Sequence, residues 1–154
     1  MNRIFIAAKA FGLCGQVLDD KELVATAKKL VHFGLKQRDA GGVFLEKGGR
    51  DSSYNAVSIF FGSVLALHVS LPEFEAALPA AIAWQRTQIK ASGEVDVSLN
   101  TRTGVGKETF LGKPKGVNYT EVIFAFTYYG LMYSDAEALA LAEKIFAWSR
   151  APQF

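Results

Sequence analysis

Two carboxylates, Asp51 and Asp96, stand in polar, glycine-containing stretches of the chain, at Arg50-Asp51-Ser52-Ser53-Tyr54 and Gly93-Glu94-Val95-Asp96. A pair of carboxyls brought across an open cleft is the equipment for breaking a glycosidic bond. One protonates the leaving oxygen, and the other acts as base or nucleophile. Around them lie groups suited to an acidic ligand. The guanidinium of Arg102, within Asn100-Thr101-Arg102-Thr103-Gly104, matches a carboxylate bidentately. Arg50 and Asn100 would assist it, and the phenols of Tyr54 or Tyr119 would move a proton. Each residue also has a plainer role. Asp51 precedes two serines and would cap a helix. Asp96 would brace a loop, Arg102 would pin one through an ion pair, and both tyrosines would pack at helix starts.

Other chemistry-bearing residues read as structural. His32 and His68 fall inside expected helices without a metal-ligand companion, so both are expected buried and hydrogen-bonded. The single Cys14 excludes an internal disulfide and a cysteine metal site, and is expected buried. Trp84 and Trp148 read as core residues, and Glu108 as a solvated one. No phosphate-binding loop, nucleophile elbow or dinucleotide fingerprint occurs, and no cofactor is called for.

These residues need elements to hold them. The chain of 154 residues is half apolar, with 12 Phe and a net charge of +2. Such a composition excludes disorder, and the scattered charges suggest neither nucleic acid nor a membrane surface as partner. No apolar run is long enough to span a bilayer, and the first residues do not read as a signal peptide. The compartment is left open, cytoplasmic by default. Helical spacing of apolar residues predicts a single all-α domain over residues 1–154. The expected helices run over about 2–17, 21–35, 52–69, 72–91, 119–133 and 136–150, the fourth kinked at Pro79. Capping boxes are expected at Ser70-Leu71-Pro72-Glu73, Asn118-Tyr119-Thr120-Glu121 and Ser134-Asp135-Ala136-Glu137. A short strand is expected at 94–97, followed by a long polar loop over 98–117.

The chain repeats itself. Ser53-Tyr54-Asn55-Ala56-Val57-Ser58-Ile59-Phe60-Phe61 parallels Asn118-Tyr119-Thr120-Glu121-Val122-Ile123-Phe124-Ala125-Phe126. Each opens an almost wholly apolar helix after a glycine-rich segment, and a more amphipathic helix follows. Three helical hairpins result, with the long loops expected on one face.

Gln37-Arg38-Asp39-Ala40-Gly41-Gly42-Val43-Phe44 with Arg50-Asp51-Ser52-Ser53-Tyr54, and Trp84 to Gln88 with Gly93-Glu94-Val95-Asp96 and Asn100-Thr101-Arg102-Thr103-Gly104, resemble loop-to-helix junctions of the α/α-toroid, six-hairpin glycosidase-like proteins. The resemblance implies a three-hairpin, toroid-like arc, about half of a full ring. It further implies carbohydrate-active or carbohydrate-binding function on an acidic poly- or oligosaccharide, hydrolase or lyase in type. A homodimer closing the ring is the implied assembly. The competing expectation is a non-catalytic helical module that binds a protein or small apolar ligand on a surface of Phe60, Phe61, Phe124, Phe126 and Tyr128.

Overall fold

A computed structural model describes residues 2–151; residues 1 and 152–154 of the expected domain lie outside the described residues. The protein is all-α. Its helices are α1 (Asn2–Leu18), α2 (Lys21–Leu35), α3 (Ser52–Ala66), α4 (Pro72–Thr87), α5 (Tyr119–Tyr133) and α6 (Ala136–Arg150). They pair as hairpins α1/α2, α3/α4 and α5/α6. Helices α1, α3 and α5 pack side by side with α3 in the middle, and α2, α4 and α6 each lie against their own hairpin partner.

One apolar cluster joins all six helices, including Phe5, Ala27, Ile59, Phe74, Phe126 and Ile145. Phe44, from the loop over 36–51, completes an aromatic trio with Phe5 and Phe74, with ring centroids 5.0 and 6.2 Å away. The loop is thereby fastened into the core rather than draped over it. Ser52 through Ile59 are all buried, as an apolar helix flanked on both sides must be. Gly62 lets α4 approach: a Cβ there would run into the Phe74 ring.

The caps follow side-chain chemistry. Asp20 accepts from the backbone N–H groups of Glu22 and Leu23, and Asp135 from that of Ala138. The box expected at Ser70 does not form. The N-cap of α4 is Leu71, with no side-chain cap, and Pro72 opens the first turn. At the third box Asp135, not Ser134, is the cap.

Several boundaries shift. Helix α3 stops at Ala66, and α4 runs through Pro79 as one helix but ends at Thr87. The residues after Thr87 double back instead. Asp96 N–H donates to the Gln88 carbonyl (2.7 Å) and Lys90 N–H to the Glu94 carbonyl (2.9 Å), around Gly93 at φ +95°. The strand expected at 94–97 is therefore one isolated bridge, Ile89 with Val95. The strands that do form, β1 (Thr109–Phe110) and β2 (Lys113–Pro114), pair antiparallel inside the loop that carries no strand signal. Their turn residues Leu111 and Gly112 both have positive φ, the primed geometry that matches strand twist.

Three side-chain expectations are corrected. Cys14 is exposed on α1. His32 and His68 are exposed as well, His32 pairing with Glu73 at 3.2 Å. A place inside a helix does not make a residue part of the core, and all three fall on the solvent side of their segments.

Candidate functional site

The loops over 36–51 and 88–118 meet at the N-terminus of α3, and Asp51 is where they are tied. Its carboxylate accepts from the backbone N–H groups of Ser53 and Tyr54, from those of Arg102 and Thr103, and from the Thr103 hydroxyl. Asp51 is 0% exposed. One carboxylate thus satisfies a helix start and a loop 51 residues away, which is what a buried charge needs in order to be tolerated.

Neutral groups extend this clasp. Asn100 Oδ1 accepts from Ser52 N–H (2.8 Å), while its Nδ2 donates to Ser52 Oγ (2.9 Å). Ser52 Oγ donates to the Asp96 carbonyl (3.1 Å). Gln85 donates to the Ser52 carbonyl, and Asn55 bridges Gln85, the Ala81 carbonyl and the Phe44 N–H. Gly49 belongs to the same seam, since a Cβ on it would collide with Thr101.

Above the clasp lies a charged rim. The Arg102 guanidinium sits 4.6 Å from the centroid of the Tyr54 ring and bonds Glu108 at 2.7 Å and also Glu46. Lys47 reaches Glu108 at 2.6 Å. These cations hold the Glu108 carboxyl down at about 2, through the Lys47 and then the Arg102 hydrogen bond. Lys115 also approaches the Tyr54 ring, 4.7 Å from its centroid, with its ammonium on the phenol oxygen. The phenol is thus flanked by two cations, and among the described residues only Arg102 is engaged by carboxylates.

The structure brings Asp51, Asp96, Asn100, Arg102 and Tyr54 into one loop cluster but gives them different work. Asp51 and Asn100 are sealed and fully bonded. Asp96 is partly exposed; its carboxylate accepts from Ser98 N–H (2.9 Å), and that bond chiefly keeps its pKa low. Arg50 is exposed, paired with Asp39 at 2.6 Å and 5.7 Å over the Trp84 ring. Tyr119 stands apart from the rim, its ring 5.0 Å from that of Trp148 and its hydroxyl raised chiefly by burial. Glu108, expected solvated, is an ion-pair hub. Glu46, Thr103 and Lys115 join the site although the sequence does not single them out. The Thr-Arg-Thr triplet carries a weak signal for Thr103, whereas nothing local marks a lysine that folds back onto a tyrosine 61 residues away.

Among the described residues no group of three His, Cys, Asp or Glu is placed to hold a metal ion, and no helix is long and apolar enough to cross a membrane. The fold and rim define an all-α, three-hairpin protein with its polar machinery gathered where two long loops meet. Comparison of the chain with protein-family models, curated proteins and solved structures gives no match.

Proposed function

We propose that the protein binds an acidic oligosaccharide at the Tyr54–Arg102–Lys115 rim. The observation that carries this reading is the Tyr54 phenol, held between a guanidinium and an ammonium group directly above a buried clasp. A uronate carboxylate is attracted to Lys115, which among the described residues has no carboxylate partner, while the buried Tyr54 ring holds the two cations in place.

Elimination suits this arrangement better than hydrolysis. Hydrolysis needs two carboxyls in reach of substrate, and Asp51 has no exposed surface. In elimination the Tyr54 oxygen takes the proton beside the uronate carboxylate, the freed electron pair forms a carbon–carbon double bond, and the glycosidic C–O bond breaks. Lys115, on the Tyr54 oxygen, stabilises the phenolate that accepts this proton and becomes the phenol, and it also neutralises the substrate carboxylate. The departing oxygen then recovers the proton.

Calorimetric titration with a uronic-acid oligosaccharide and its carboxyl-reduced counterpart tests the reading, alongside ultraviolet detection of unsaturated ends. Selective binding of the acid form, weakened in Tyr54→Phe, is expected. Equal affinity for both ligands, or for neither, would overturn it.

The second reading, a module for an apolar ligand or a second copy of the chain, is favoured by one feature. Phe60, Phe61, Phe124 and Tyr128 form a half-exposed aromatic cluster, with Phe60 5.1 Å from Phe124 and 5.5 Å from Tyr128. A homodimer covering it would be seen as a doubled mass in light scattering.

A further inference from the structure

The β1–β2 hairpin carries two costs. Leu111 occupies the left-handed region at φ 49°, where an L side chain is unfavourable and Asn, Asp or Gly is the usual choice. Its side chain is also 87% exposed, and that of the adjacent Phe110 68%. Stability alone would place Asn at position 111 and a polar residue at 110.

The hairpin is presented on a fixed base. Glu108 N–H donates to the Arg102 carbonyl (3.1 Å), Lys115 N–H to the Glu108 carbonyl (2.8 Å) and Gly104 N–H to the Lys115 carbonyl (2.8 Å). This ladder starts from Arg102, whose own N–H is held by Asp51. Phe110, Leu111, Lys113, Pro114, Lys115 and Gly116 line an open hollow of about 550 Å³. Lys115 is shared between this hollow and the Tyr54 rim. Among the described residues neither Lys107 nor Lys113 has an ion-pair partner, and Glu108, the one carboxylate of the segment, is committed to Lys47 and Arg102.

We propose that the β1–β2 hairpin is a clamp for the anionic saccharide, with Phe110 and Leu111 against the apolar face of a sugar ring and Lys107 and Lys113 on its carboxylate or sulfate groups. This rests on the rim reading, because the hollow continues that rim through Lys115. A cationic, carboxylate-poor hollow fits a polyanion by charge, and the pre-set base limits the ordering cost of binding. An anionic lipid surface shares the charge chemistry. Two apolar side chains beside a sugar-sized hollow favour the saccharide.

The test titrates the full chain with a uronic-acid oligosaccharide, in parallel with sedimentation on phosphatidylserine vesicles. Phe110→Ala is expected to bind about tenfold more weakly. Lys107→Ala/Lys113→Ala is expected to lose affinity several-fold at low salt, the deficit vanishing at high salt. Leu111→Asn is the sharpest variant: a raised Tm together with weakened binding marks a residue kept for contact rather than folding. If these variants bind like the wild type while Tyr54→Phe is impaired, the clamp falls and the rim stands. If the wild type ignores the oligosaccharide, the rim reading falls and the clamp with it. Vesicle binding without saccharide binding would assign the hairpin to lipid and overturn the proposal.

Discussion

The N-termini of α3 and α5 match in sequence and diverge in physics. Each is an Asx or Ser-Tyr start to an apolar helix after a glycine-rich loop. At α3 the cap is Asp51, sealed from solvent and bonded to five donor groups in a helix and a distant loop. At α5 the cap is Asn118, exposed, whose oxygen accepts from the Glu121 N–H at 3.4 Å. The tyrosines follow their caps. Tyr54 is drawn under Arg102 and Lys115, while Tyr119 turns away to pack against the Trp148 ring. Their nearby acids diverge too. Lys47 and Arg102 lower Glu108, whereas burial raises Glu121 despite its Asn118 hydrogen bond. A repeat therefore reproduces a helix start and leaves its environment to whichever loop folds over it. The helix start over which both loops close acquires the charged rim.

The largest test of this contrast is Asp51→Ala. Five donors lose their acceptor, four of them backbone N–H groups, and roughly 3–5 kcal/mol of stability should be lost in urea denaturation. That is a large share of a typical domain's margin. Thr103→Val, which removes only the hydroxyl donor, should cost about 1–2 kcal/mol. Asn118→Ala, at the corresponding cap of α5, should cost only about 1 kcal/mol. Equal losses at Asp51 and Asn118 would erase the distinction. In ligand titration Tyr54→Phe should weaken acidic-oligosaccharide binding while Tyr119→Phe leaves it unchanged.

The smallest effects come from pH, and their signs oppose. The folded pKa of Glu108 is depressed, so its stabilisation is present above about 4.5 and is lost as pH falls toward about 2. The folded pKa of Glu121 is raised, so its contribution is present at low pH and is lost as pH rises through the folded value. Denaturation midpoints of Glu108→Gln should fall below wild type at neutral pH, and those of Glu121→Gln should rise above it. Parallel shifts would mean that both helix starts share one electrostatic environment.

Much of the helical frame is legible along the chain. Apolar periodicity and Asp, Asn and Pro at helix starts place α2 and α5 and mark α6, because those signals act within a few residues. The residues of the clasp are legible as candidates, and their plainer roles are the ones they take: Asp51 caps α3 and Arg102 pins the loop through ion pairs. That Asp51 also ties down a distant loop is not legible, because it depends on burial and on partners 51 residues away. Lys115 and Thr103 leave no clear local trace, since their partners lie 61 and 52 residues away. The hairpin at 109–114 is hidden because two residues in each strand are too few to show alternation.

By itself the sequence determined an all-α chain of six helices in three hairpins, and the loops on which chemistry would gather. Local spacing and capping dictate those features. Tertiary structure alone decided which carboxylate would be buried, which tyrosine would meet cations and which cysteine and histidines would face solvent. Exposure and charge at a residue are set by neighbours far away in the chain, and no window of local sequence contains them.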